Sequence, residues 1–191
     1  MVPMAVDLPV TPNFDTSALH RRVAPLCHVI RWCAVAWGLW ATVIVFMVFA
    51  VPDRVAENYG RALNVDLGQL PTSGYVLALA IIVLDLALAW LVVFFVWRLF
   101  GHYLKGDIFS HAAVAEMWRG GWAGVAVVAF DLVARPLIAY VLTQHLAESQ
   151  RLHFWTSPDD LLHLMLALFI VALARIFRAG VEIADDNRQI V

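Results

Sequence analysis

Long apolar runs separated by short polar stretches dominate the chain, and their length decides what they form. A hydrocarbon core about 30 Å thick takes about 20 helical residues at 1.5 Å rise each. Four runs reach or approach that length, at about 29–51, 74–97, 121–143 and 161–178. The first is free of charge from Trp32 to Val51 and is closed by Pro52-Asp53. The second is interrupted by Asp85, and the third contains Asp131, Arg135 and Pro136. The last and shortest carries His163 near one end and Arg175 near the other. The pattern predicts an all-α integral membrane protein, a four-helix bundle over residues 24–191 behind a flexible arm at 1–23. The first run exceeds the apolar core of a secretory signal and follows a segment rich in Asp, Pro and Asn, so it is expected to be retained.

Composition agrees. Of 191 residues, 62% are hydrophobic and 15% charged, against roughly 45–50% and about 25% in soluble domains. Lys and Arg number 13 and Asp and Glu 15, a net charge of −2, which excludes a basic surface for direct nucleic-acid binding. Cys27 and Cys33 are too few for a disulfide scaffold.

Positive charge orients the spans. One side holds Arg21, Arg22, Arg31, Arg98, Lys105, Arg119, Arg175, Arg178 and Arg188, and the other Arg54, Arg61 and Arg151. Both termini are therefore expected in the cytoplasm, in a multi-pass protein of a bacterial inner membrane whose first partner is the lipid bilayer. Trp32, Trp97, Trp118 and Trp122 fall near the cytoplasmic boundary, as aromatic belts do. Pro52–Thr72 and roughly Gln144–Asp160 become exterior loops. In the middle loop, Gly106-Asp107 is a turn signal and Ser110 an N-cap, and 111–119 predicts a short interfacial helix.

Charge inside a membrane is costly, about 2.5–3.5 kcal/mol per group on the lenient insertion scale, so such groups face partners. Asp85 and Asp131 both fall near mid-bilayer, and Arg135 lies one turn beyond Asp131 on the same helical face. The economical arrangement sets Arg135 between Asp131 and Asp85, with the second and third spans in contact. It serves as a structural lock on helix packing, or alternatively as a proton or cation site. Gly120, Gly121 and Gly124, continued by Ala126 and Ala129, form a stripe that lets helices approach closely, and packing within the chain is the expected use.

Chemistry beyond this is sparse. His145, His153 and His163 fall on the exterior side, and His145 and His163 are the weak candidates for a metal, although no metal-ligand spacing is present. No phosphate loop, dinucleotide fingerprint, zinc-protease or serine-hydrolase motif occurs. The expectation is a non-enzymatic protein without a cofactor.

Two stretches carry a resemblance. Leu99 to Ser110 contains Tyr103, Gly106, Asp107, Ile108, Phe109 and Ser110, and is similar to a pattern of Phe, spacer, Tyr, spacer, Gly, acidic residue and Ile-Phe-Ser/Thr. Ala174 to Glu182 contains Phe177, Arg178, Gly180 and Glu182, followed by Asp185 and Asp186, and resembles an ending of Phe-Arg-x-Gly and an acidic stretch. Together they resemble the bacterial membrane proteins grouped as domain of unknown function 2975, small four-span proteins. The last five residues, Asn187 to Val191, differ from that family's usual ending. The resemblance implies a membrane-held partner of a helix-turn-helix transcriptional regulator, reached through the cytoplasmic loop and tail. The acidic tail suits a basic partner. A small proton- or cation-coupled transporter, or an accessory subunit of a membrane complex, are the alternatives. Oligomeric state is not legible in the sequence.

Overall fold

The computed structural model describes residues 16–107, 110–146 and 158–189, with side chains from 23 to 186 within those limits. Five helices occur among them: α1 (Thr16–Phe49), α2 (Pro52–Leu63), α3 (Thr72–Leu104), α4 (His111–Thr143) and α5 (Pro158–Gln189). Four of these, all but α2, are long and apolar enough to cross a membrane. Their outward faces are apolar and open, with Trp40 67%, Phe46 74% and Ile176 66% exposed, as suits helices surrounded by hydrocarbon. The chain is an all-α membrane bundle of four long helices.

α3 and α5 exceed their apolar runs at both ends, and α1 and α4 exceed theirs at the start. α1 begins at Thr16, inside the segment expected to be a flexible arm. The interfacial helix expected at 111–119 is no separate element, because α4 runs unbroken from His111 through Pro136 to Thr143. Its start follows from local chemistry: Ser110 Oγ accepts the Ala113 N–H at 3.1 Å, capping an orphan donor of the first turn. α3 stops where Gly106 takes φ +86°, a left-handed conformation open to glycine at no cost. Ile108 and Phe109 lie outside the described residues.

The largest departure is α2, which occupies much of the expected Pro52–Thr72 loop. Pro52 sits in its first turn with Asp53, and Asn64 ends it in a left-handed conformation at φ 54°, both favoured at those positions. Val55 and Tyr59, four residues apart, turn to the bundle. Val55, Leu67, Ala78, Ala134, Ile138 and Leu142 are buried together with Phe49 and Ile81, and Tyr59 packs against them. Phe49 and Tyr59 meet edge to face at 6.0 Å, and Tyr75 donates to the Phe49 carbonyl at 2.6 Å. The hydrophobic core therefore lies at the α2 end, with α2 as its lid.

Packing between long helices is sequential: α1 against α3, α3 against α4, α4 against α5. At the first contact, a Cβ on Gly38 would lie 3.2 Å from the Trp90 ring, so the missing side chain is the notch that admits the indole. Trp90 Nε1 donates to Thr42 Oγ1 at 3.0 Å, and Thr42 in turn donates to the Gly38 carbonyl at 2.8 Å. Trp37 and Trp40 stay exposed. The glycines of α4 work within the chain. Gly120 faces Phe95 of α3 at 3.2 Å, whereas Gly121 and Gly124 face Val171 and Ala167 of α5 at 2.8 and 3.6 Å, measured from a constructed Cβ. Ala126 and Ala129, expected to continue the stripe, point outward.

At the end opposite α2, aromatic and basic residues form a belt. Trp32 and Trp97 meet edge to face at 5.6 Å, as do Trp118 and Trp122 at 5.8 Å. Arg31 lies 3.7 Å over the Trp97 ring and Arg175 5.2 Å over Trp118, within cation–π range.

Candidate functional site

Arg135 holds two carboxylates, and one of them is not the residue expected. Its guanidinium engages Asp131 through Nε at 2.9 Å and through Nη2, the i,i+4 pair legible in the sequence. Nη1 reaches Asp160 Oδ1 at 2.7 Å, so the second partner comes from the first turn of α5 and not from Asp85 of α3. The reason is reach. Arg135 lies one turn nearer the α2 end than Asp131, and long basic side chains extend toward the interface. Asp160 is 6% exposed and also benefits from the positive end of its helix. The ion pair thus ties α4 to α5.

Asp85 is half-buried in the middle of α3, and its Oδ1 has no hydrogen-bond partner. Tyr59 on the α2 lid reports how near the acidic groups are. Burial, followed by the charges of Asp131 and Asp85, pushes its phenol above the ordinary value, about 10. The unfolded chain therefore loses this proton first, and stability falls as pH rises above about 10 toward the higher folded-state value. Melting temperature followed from pH 8 upward should drop less steeply beyond about pH 10 in Tyr59→Phe than in the parent. Parallel curves would mean that Tyr59 contributes nothing to alkaline unfolding.

A slot of 630 Å³ runs along α4 between α3 and α5. The two flanking helices pack on α4 and not extensively on each other, so α4 forms the floor. Asp131, Arg135, Asp160 and His163 line one end of it, and Tyr103 and Glu116 the other. Between them the wall is apolar: Val92, Phe95 and Leu99 of α3, Val127 and Val128 of α4, Leu166 and Ile170 of α5.

Glu116 went unnoticed in the sequence. It is 3% exposed, and one oxygen, Oε1, takes both Arg98 at 2.9 Å and Arg119 at 3.2 Å. The other oxygen, Oε2, is buried with no partner. The signal available was its spacing: Glu116 stands three and four residues before Arg119 and Gly120, on the face the glycines turn inward.

The two motif regions come together at the same end. The His111 ring, directly after the motif loop, donates from Nε2 to Asp185 Oδ2 of the tail at 2.8 Å. Arg178 pairs with Glu182 within the tail at 3.0 Å. A hollow of 340 Å³ lies between, lined by His111, Trp118, Arg119 and Arg178. Tyr103 stacks edge to face on Phe100 at 5.5 Å, Asp107 N–H closes the α3 terminus on the His102 carbonyl at 3.1 Å, and Gly180 has open space around it. Phe177 and Asp186 are on α5 at this level.

The histidines considered for metal do not converge. His145 Nε2 donates to the Leu67 carbonyl at 2.9 Å, fastening the end of α4 to the loop before α3, while His163 faces the slot. No group of three or more metal-ligating side chains occurs among the described residues. His153 lies outside them.

The family model described as Protein of unknown function (DUF2975) matches residues 62–191, which include α3, α4, α5 and both motif regions. The chain belongs to this family. No curated protein and no solved structure matches it.

Proposed function

We propose that this DUF2975 member is a non-enzymatic regulatory or scaffolding protein of the bacterial inner membrane, with both termini in the cytoplasm. In this reading the motif loop and the tail form one docking surface for a basic cytoplasmic partner, a helix-turn-helix regulator. The observation that supports it is the His111–Asp185 hydrogen bond, which joins two segments separated by most of α4 and α5. The excess of Arg and Lys at that end supports placing it on the cytoplasmic side. Glu182, Asp185 and Asp186 supply acidic charge for a basic partner, and such complementarity sets specificity and encounter rate.

Co-purification of the tagged full-length protein from native membranes, followed by mass spectrometry, tests this. A small helix-turn-helix protein should come along, and the pair Asp185→Lys and Asp186→Lys should release it while the bundle stays folded. Recovery of membrane subunits alone would overturn the regulatory reading and favour the accessory-subunit one.

A second reading, a small proton- or cation-coupled transporter, draws support from the unpartnered Asp85 oxygen in the middle of α3. Intramembrane ionisable groups commonly mark ion pathways. Under it, flux in proteoliposomes would vanish in Asp85→Asn.

A further inference from the structure

In the hollow between the first turns of α4 and the far part of α5, every ionisable side chain of the lining is basic: His111 and Arg119 from α4, and Arg178 from α5. The rest of the lining is apolar, with Val114, Ala115 and Trp118 on one side and Ala174 on the other. We propose that this hollow binds the head of an anionic phospholipid, with its phosphodiester between Arg119 and Arg178.

Three observations select this ligand. The first is donors within reach. The Arg119 and Arg178 side chains are 58% and 71% exposed, so a group entering the hollow meets them directly. Arg119 gives Nη1 to Glu116 and Arg178 gives Nε to Glu182. A guanidinium carries five N–H donors in a fork that matches phosphate oxygens, so each arginine retains donors for a ligand.

The second is charge. Arg98 and Arg119 share one carboxylate, Glu116, through the same oxygen. Arg175, seated over Trp118, pairs with no carboxylate among the described residues. The arginines around the hollow therefore outnumber the carboxylates they hold. An anionic head gains from that excess, whereas the ammonium of a zwitterionic head would be set against the same arginines.

The third is depth. Outward along α5, apolar Ala174 is followed by Arg175 and Arg178, and these by Glu182, Asp185 and Asp186. The arginines stand at the level of the Trp118–Trp122 pair, where tryptophans mark the headgroup layer, and the acids stand beyond it. A phosphate already in the bilayer meets the basic level first. One arriving from water would have to pass the acidic tail. Basic pockets between membrane helices hold anionic heads in this way. The site stands whether or not a cytoplasmic partner docks on the tail.

The test titrates the full chain in detergent micelles with palmitoyl-oleoyl phosphatidylglycerol or with the matching phosphatidylcholine, and native mass spectrometry reads the lipid retained. Phosphatidylglycerol should bind at least ~10-fold more tightly, from roughly fivefold per arginine. Arg178→Glu should abolish that preference. Arg61→Glu is the control, because Arg61 forms an exposed i,i+4 pair of the same kind with Glu57 at the α2 end, and it should leave the preference unchanged. Equal affinity for the two lipids in the parent, a comparison that needs no variant to fold, would overturn the proposal. So would a preference that survives Arg178→Glu, or one lost equally in Arg61→Glu, which would mark net charge and not a site. Displacement of phosphatidylglycerol by inorganic phosphate, but not by sodium chloride of equal ionic strength, would assign the hollow to free phosphate and overturn the lipid as its occupant.

Discussion

Replacing Gly121 by leucine should detach α5 from the bundle. A Cβ at this position would lie 2.8 Å from Val171 Cγ2 and 3.2 Å from the Val171 backbone nitrogen, and a backbone atom cannot step aside as a flexible side chain can. Overpacking a well-fitted contact costs typically about 1–3 kcal/mol, and with backbone on the opposite side the loss should reach the upper figure. Thermal denaturation in detergent, read together with the elution profile, measures it. Gly101→Ala is the control, since nothing lies within 4 Å of a Cβ there. An unchanged melting temperature in Gly121→Leu would show that α4 and α5 do not approach closely in the membrane.

Removing the guanidinium of Arg135 should be nearly as damaging. Arg135→Leu leaves Asp131 and the almost fully buried Asp160 without their cation, and breaking a buried pair by deleting one partner costs about 3–5 kcal/mol. Arg135 itself is half exposed, so about 3 kcal/mol, the lower limit of that range, is the expected loss. Asp160→Asn should be destabilising in the same sense. Asp85→Asn should have little effect, because the Asp85 oxygen that is buried holds no partner to lose. Chemical denaturation of the three variants ranks them, and a larger loss in Asp85→Asn than in Asp160→Asn would restore the arrangement in which Arg135 bridges α3 and α4.

That contrast also shows where sequence reading reaches its limit. The four spans were legible because the cost of placing polar backbone in hydrocarbon leaves a long apolar helix as the available solution. The Ser110 cap was legible because it depends on residues within one turn. The Asp131–Arg135 pair was legible because i,i+4 geometry is fixed by the helix. Asp160 was not. It stands outside the apolar run, and only the length of an arginine side chain combined with the α4–α5 packing brings it to Arg135. Glu116 was hidden by similar means, since a single acid among alanines near a helix start reads as interfacial until α3 supplies Arg98. The α2 lid left a signal that hydropathy alone passes over, namely Val55 and Tyr59 one turn apart between a proline start and an asparagine stop.

The sequential packing of α1 on α3, α3 on α4 and α4 on α5 bears on how the molecule is made. Chains are synthesised from the N-terminus, and folding units form as they emerge. Each long helix after α1 packs on the long helix made just before it, so each finds a partner already in the bilayer when it arrives and none has to be threaded into a closed ring. The glycine notches at 38 and 121 are then docking keys used in order of translation: Gly38 receives Trp90 when α3 arrives, and Gly121 receives Val171 when α5 completes the row.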